Sequence, residues 1–443
     1  MRAAAAVPGR WPRAAGLRRT LALLAALCAL AAAAGCGTGT EAERGRPVRL
    51  TMWARSDQAS FMGKVVRGFN RTHRSVHVDL TLIPTGNYVQ KLGVGVAGGS
   101  GPDLASIDLV YVPFFASSGV LADLSSRVRS LPHLNRLSRA HVRQGTYRGQ
   151  RYALPFTGDA SVLYYNTELF AKAGLDPDQP PRNWREFADA ARRISALGKG
   201  RYGYHFSGRC GGCNVFTLSP FVWASGGRLV GRAGGAERPA VGTDPEVYRA
   251  LRMYRTLWRQ GAMPPQAAAD TGSQSLSLFG GGRVGMYASG AFALSELHHS
   301  YPKLKFKVAP IPGRRGGSSS FTGGDDIAIT SNSAHKDAAW RFLRWAVRAD
   351  VQRRYVGQSD VVPVRTDVAL GPYSRRGATY AVLARALAHG RTVRSRQENA
   401  LFNASTSPWS TMIARAVFGP GRGAVRGATR SAQADMVNIL SRG

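Results

Sequence analysis

Apolar positions along this chain switch between strand and helix spacing. Val48 to Trp53 (VRLTMW) is a short, largely apolar run and predicts a buried first strand. In Asp57 to His73, Phe61, Met62, Val65, Val66 and Phe69 recur at helical spacing. Val76 to Leu82 alternates with period two, Asn87 to Val96 predicts another helix, and Asp103 to Asp108 (DLASID) a third strand. Such a β-α-β-α-β succession buries its apolar positions as a sheet with helices on its faces.

The stretch Tyr152 to Phe170 organises the rest. Its start, up to Pro155, closes one unit as a strand, and Val162 to Tyr165 opens a strand of another. Between them Phe156-Thr157-Gly158-Asp159-Ala160 is short, polar and Gly-containing, as a crossing between two lobes requires. Asn166 or Thr167 is placed to cap the helix that follows. Helices are predicted over Trp184 to Leu197, Phe216 to Ser225, Asp244 to Gln260 and Ser273 to Phe279, with strands over Val284 to Ala288 and Phe306 to Ile311. Phe321 to Thr330 (FTGGDDIAIT) repeats the Gly-rich turn and strand, a second crossing. A long helix from Ala334 to Tyr355 would then return to lobe one, burying Ala338, Ala339, Phe342, Leu343, Ala346 and Val347. Val361 to Val364 reads as a third crossing.

Ligands of such sheets bind beyond the carboxyl ends of the strands, and small-molecule sites favour domain interfaces. Trp53, Arg55, Ser56 and Asp57 leave the first strand there, and Asp108 and Tyr111 leave the third, on the same rim as Asp159. The bland alternatives are that Asp57 caps a helix and Trp53 is core; Arg55 and Asp108 have no obvious structural task.

Length and charge refine this picture. A chain of 443 residues suggests two lobes or domains, and no apolar run after the N-terminus reaches membrane-spanning length. The net charge is +34; residues 1–35 hold five arginines and no acids, so a chain starting at Cys36 carries 34 − 5 = +29. The basic residues are spread along the whole length. A genome-wide Arg bias, association with an anionic membrane or wall, and nucleic-acid binding explain this in falling order, the last without any nucleic-acid motif.

A basic segment with Arg2, Arg10, Arg13, Arg18 and Arg19 precedes an apolar one from Leu21 to Ala34, marking residues 1–35 as a signal peptide. Ala33-Ala34-Gly35-Cys36 resembles the lipobox of bacterial prolipoproteins, in which the cysteine is lipidated; the alternative is an ordinary signal peptide cut nearby. Either way the protein is exported, and residues 36–46 form a polar tether. In an oxidising compartment Cys210 and Cys213 then read as a small structural disulfide, rather than a redox motif or a partial metal site with His205.

Taken together, the chain resembles the extracellular solute-binding proteins of bacterial ABC importers, in the carbohydrate-binding group that includes maltose-binding protein. The resemblance spans about residues 48–440. It rests on Phe69-Asn70-Arg71-Thr72-His73, Gly99-Ser100-Gly101-Pro102-Asp103, Gly119-Val120-Leu121-Ala122-Asp123-Leu124, the block from Tyr152 to Phe170, Phe279-Gly280-Gly281-Gly282-Arg283-Val284-Gly285-Met286, Gly323-Gly324 and Ala338-Ala339-Trp340-Arg341-Phe342-Leu343.

It implies an α/β, two-lobe periplasmic-binding-protein-like fold (type II, Venus flytrap) with three inter-lobe crossings. Lobe one would be 47–157 and 325–361, and lobe two 158–324 and 362–443. A monomer would capture a sugar and deliver it to permease subunits in the membrane, lipid-anchored on the outer face, without cofactor, metal or covalent chemistry. Trp53, Arg55, Ser56, Asp57, Asp108 and Tyr111 would line one wall, with Asp159 at the first crossing. Trp223, Phe292, Asp325, Asp326 and Trp409 would line the other. Phe292 stands where the family often has Trp. For Trp223 and Trp409, core filling is an equal reading.

Three kinds of rival remain, one of them a basic wall- or nucleic-acid-binding protein with no saturable sugar site. The same fold could take a polyol, glycerol phosphate or peptide. A secreted glycoside hydrolase could pair Asp159 with Asp325 or Asp326. Gly93-Val94-Gly95-Val96-Ala97-Gly98 matches a dinucleotide fingerprint but lies inside a helical stretch, so the context fails.

Overall fold

The computed structural model describes residues 46–442 except 235, 394 and 396. The signal segment, Cys36 and the tether up to residue 45 lie outside the described residues. The principal elements are numbered in chain order. β1 (Val48–Arg55), α1 (Ala59–Thr72), β2 (Val76–Ile83), α2 (Tyr88–Ala97) and β3 (Leu104–Asp108) come first. β4 (Ala153–Ala160), β5 (Val162–Asn166), α3 (Trp184–Ser195), β6 (Tyr202–His205), α4 (Gly211–Ala224) and α5 (Pro245–Arg259) follow. β7 (Val284–Ser289), α6 (Phe292–Ser300), β8 (Phe306–Ala309), β9 (Thr322–Ile329), α7 (Lys336–Ala346), β10 (Val362–Pro363), α8 (Ala378–His389), α9 (Pro408–Ile413) and α10 (Ala424–Ser441) complete the set.

Lobe one is a six-stranded sheet in the order β10-β4-β9-β3-β1-β2. β1 is parallel to β2 and β3, while β9 runs antiparallel to β3 and β4. The helical spacing of α1 does what it predicts: Phe61, Met62, Val65, Val66 and Phe69 are buried with Phe342 and Leu343 of α7. A second cluster joins Tyr88, Leu92 and Val96 of α2 to Ile107 of β3. Lobe two is a four-stranded sheet in the order β8-β5-β7-β6. One of its cores unites α3, α4, α5, α9 and α10, and the other unites α6 and α8. Asn166 caps the helix after β5, its Oδ1 accepting the Leu169 N–H at 3.0 Å. Among the described residues no helix is long and apolar enough to cross a membrane.

All three crossings are strands, and they lie side by side. β4 and β9 pair antiparallel from Ala160↔Thr322 to Ala153↔Ala328, and β10 pairs Val362 and Pro363 with Gly158 and Thr157. Buried Gln352 fastens β4 to the end of β10: its Nε2 donates to the Phe156 carbonyl at 2.9 Å and its Oε1 accepts the Val364 N–H at 3.0 Å. Buried His141 contacts the Thr157 carbonyl through Nε2 at 3.1 Å, and desolvation pushes its pKa down to about 4, so the ring is neutral at pH 7. Gly324 sits at φ +109°, where a Cβ would collide with the Thr157 carbonyl.

Two predicted elements differ. The single helix expected from Ala334 to Tyr355 is broken, because Arg348 is extended (φ −67°, ψ 147°) after α7 ends at Ala346. A short helix, Ala349–Val351, restarts the chain and leads into the turn that carries Gln352. The six residues expected to be buried here are buried nonetheless. The helix expected from Phe216 starts earlier, at Gly211, because Cys210 caps it by accepting the Cys213 N–H. Cys210 and Cys213 are joined by a disulfide. His205 belongs to a buried network with Asp270 and Ser275, each 3.0 Å from its Nε2.

Candidate ligand-binding cleft

β1 ends on Arg55, β3 ends on Asp108, and the β9–β3 register sets Asp325 directly opposite Asp108. The three side chains meet. Arg55 donates from Nη1 to Asp108 at 3.2 Å and from Nη2 to Asp325 at 3.0 Å, and its Nε lies 3.6 Å from Asp57. Exposure grades across the cluster: the Asp325 side chain is 5% exposed, Arg55 17%, Asp108 29% and Asp57 50%. The cluster therefore opens to solvent on its Asp57 and Asp108 side.

Burial disfavours the Arg55 charge, but Asp325, Asp108 and Asp57 outweigh it and hold the proton more firmly than in a free guanidinium. Burial pushes the Asp325 carboxyl up to about 6; Arg55 opposes the rise, and Asp108 and Asp57 add to it. Asp108 is raised for the same first reason, against the pull of Arg55. One cation shared by three carboxylates leaves acceptor capacity over, and Asp325 Oδ1 is buried without a hydrogen-bond partner among the described residues.

Across the first crossing, Asp159 Oδ1 accepts the N–H groups of Ala160 at 2.8 Å and Ala291 at 2.6 Å. Burial lifts its pKa to about 6 despite those bonds. Gly290 brings Asp159 and Phe292 together, since a Cβ there would collide with the Asp159 carboxylate and the Phe292 ring. That ring is 65% exposed, which is unusual for a large apolar side chain and leaves one face free for a ligand. Tyr111 reaches from the other lobe, its hydroxyl 3.5 Å from Asn399 Oδ1, and burial raises its pKa to about 12.

The structure thus gathers Arg55, Asp57, Asp108 and Asp325 into one cluster, with Asp159 and Phe292 together at the crossing beside it. Other predicted residues lie elsewhere. Ser56 is exposed and 3.3 Å from Thr85 Oγ1. Trp53 packs into the α2 cluster, against Gly95, with Lys91 Nζ 5.3 Å above its ring. Trp223 is largely buried and stacked on Phe321 at 5.7 Å.

Three readings are corrected. Trp409 is 0% exposed and packs at 60° to Phe402, so it fills the lobe-two core and lines no cleft in this structure. Asp326 is also fully buried, because neighbouring residues of a strand point to opposite faces of the sheet and Asp325 is the one that faces Arg55. Both Asp326 oxygens lack a hydrogen-bond partner among the described residues, and burial raises its pKa well above the usual range. The proposed helix cap also fails, since Asp57 turns to Arg55 and the first helix has no side-chain cap.

Sequence reasoning missed Gln144 and Glu398. Gln144 Nε2 donates to the Val393 carbonyl at 3.2 Å and to Glu398 at 3.4 Å across the lobe boundary. Glu398 is buried, and desolvation with Asp108 nearby raises its pKa well above the usual range. No local pattern marks either residue.

Two α/β lobes joined by three adjacent strands, with a polar cluster at their junction, define a receptor for a small solute. The family described as bacterial extracellular solute-binding protein matches residues 54–353. The chain belongs to this family and is an exported, extracellular solute-binding protein. It is similar to the mannitol-binding protein of Pseudomonas aeruginosa, 27% identical over 333 residues covering 72% of this chain and 71% of that protein. An ABC transporter solute-binding protein from Thermotoga lettingae, solved with α-D-tagatose, has a similar structure. Its TM-score is 0.77 at 25% identity, covering 89% of this chain and 100% of that one. The cyclic α-maltosyl-1,6-maltose binding protein of Arthrobacter globiformis gives a TM-score of 0.74 at 25% identity, covering 90% and 100%.

Proposed function

We propose that this protein captures a sugar or sugar-like polyol between its lobes and delivers it to the permease subunits of an ABC importer. The carrying observation is the Arg55 cluster beside the exposed Phe292 ring. Ligand hydroxyls donate to Asp57, Asp108 and Asp325 and accept from Arg55, while a pyranose C–H face rests on Phe292. Asp159 and Tyr111 complete the polar wall. The lobes divide at 47–157 with 325–361 and 158–324 with 362–443, and close by bending at the three crossings. Cys36 carries a lipid that holds the monomer at the outer face of the membrane. No covalent step is assigned to these residues.

The test is thermal shift of the exported protein against mono- and oligosaccharides and polyols. A ligand at 100 times its Kd adds about 2.7 kcal/mol of stability, which shows as a clear rise in Tm. One hit should be lost in Asp108→Ala and Asp325→Ala. A flat panel with folded protein defeats the sugar reading, and turnover of an oligosaccharide defeats the purely binding one.

A further inference from the structure

A second feature of lobe two has the opposite charge. A cavity of about 230 Å³ is lined by Trp223, Arg228, Leu229, Arg232, Arg391 and Val393, among other residues, none of them acidic. Its arginines come from two segments: Arg228 and Arg232 from the stretch that leads from α4 into the hairpin of Val230–Ala233 and Ala236–Pro239, and Arg391 from the chain leaving α8. The Arg391 guanidinium lies 5.4 Å from the Trp223 ring centroid. Stacking on Phe321 fixes that ring, and the Arg391 N–H bonded to the Ser320 carbonyl at 2.9 Å ties the segment to the second crossing.

The acids beside these arginines are Asp244, whose Oδ2 accepts the Arg228 backbone N–H at 2.8 Å, and Glu237. Among the described residues neither Arg228 nor Arg391 has an ion pair, and Arg232 meets Glu237 only at 3.8 Å. Burial and then the neighbouring Arg143 and Arg228 lower the Arg391 pKa, the mark of cations crowded together. The cavity also borders the lobe boundary, because the Val393 carbonyl accepts from Gln144 of lobe one.

We infer that this cavity receives an anionic group carried by the solute, a carboxylate or a phosphate, so that the ligand is an acidic sugar. Guanidinium forks match both groups, and the Trp223 wall suits the carbon skeleton attached to them. The inference rests on the sugar reading and narrows it to sugars that carry an acidic group.

The experiment is calorimetric titration of the exported protein with glucose, glucuronate and glucose 6-phosphate, and with neutral and uronic-acid-terminated disaccharides. An acidic member should bind roughly ten-fold more tightly than its neutral counterpart, about 1.4 kcal/mol, with the gap shrinking as salt is added. Glucuronate against glucose 6-phosphate separates carboxylate from phosphate. In the double variant Arg228→Gln/Arg391→Gln the acidic-to-neutral ratio should fall to about one. Equal binding of acidic and neutral sugars, or an unchanged ratio in the variant, overturns the inference while the sugar reading stands. As a second measurement, inorganic phosphate should raise the Tm of the unaltered protein at constant ionic strength, and should not raise that of the variant. Phosphate protection without any sugar binding would defeat the sugar reading and leave the anion cavity. No phosphate protection, with neutral sugars bound, would defeat the cavity.

Discussion

Arg55 holds together groups that cannot stay buried without it. Replacing it with alanine strands the Asp325 and Asp108 carboxylates, and breaking a buried pair in this way costs about 3–5 kcal/mol. Urea denaturation should show that loss for Arg55→Ala, and Arg55→Lys should recover only part of it, because an ammonium cannot fork to two acids. A pH effect follows from Asp325. Its carboxyl titrates at about 6 when folded, above the ordinary 3.8, so the native state binds this proton more tightly than the unfolded chain. The resulting stability is complete below pH 3.8 and is lost as pH rises through 6, by at most about 1.4 kcal/mol per pH unit. Denaturation of the ligand-free protein across that window checks the sign. Sugar affinity should run the other way, weakening as acid protonates the acceptors. Arg55 and Asp108 were legible in the sequence because strand ends converge on one rim, a consequence of topology. Glu398 and Gln144 were not, because they meet only through the packing of segments far apart in the chain.

At the scale of elements, two aromatics separate folding from binding. Trp409→Ala should cost about 3–5 kcal/mol, since the ring is wholly inside the lobe-two core. Phe292→Ala should barely change the Tm yet lower sugar affinity, because its ring is 65% exposed at the start of α6. Paired melts and titrations of the two variants test this, and equal effects on stability would reject the assignment. Periodicity could not tell them apart: both are aromatic residues in helices, and only the assembled tertiary structure decides which one is covered. Asp326 is a different case, since adjacent strand residues alternate faces and only one of two neighbouring acids on β9 can turn to Arg55. The break at Arg348 was equally silent, because neither Gly nor Pro marks it. The amphipathic helices α1, α3, α5 and α7 were readable because each buries one face, and β5 and β7 because they are apolar runs buried at every position.

Across the whole molecule, the crossings are the proposed hinge between the lobes. Gly324→Ala puts a Cβ into the Thr157 carbonyl at a left-handed backbone angle, so it should loosen the β4–β9 pairing. Small-angle scattering should show a ligand-induced contraction of the unaltered protein, and a smaller one in this variant. The net charge of +34 has no single structural counterpart, and the acids of the Arg55 cluster stand out against it. Three crossing strands laid edge to edge, with β4 tied to the end of β10 by Gln352, would act as one torsion bar rather than three separate strings. Torque applied at either lobe would be shared along the whole ribbon, so that no single peptide had to carry the swing. Such a bar has a resting angle: the empty receptor would hold a set gape, and each closure would retrace the same arc.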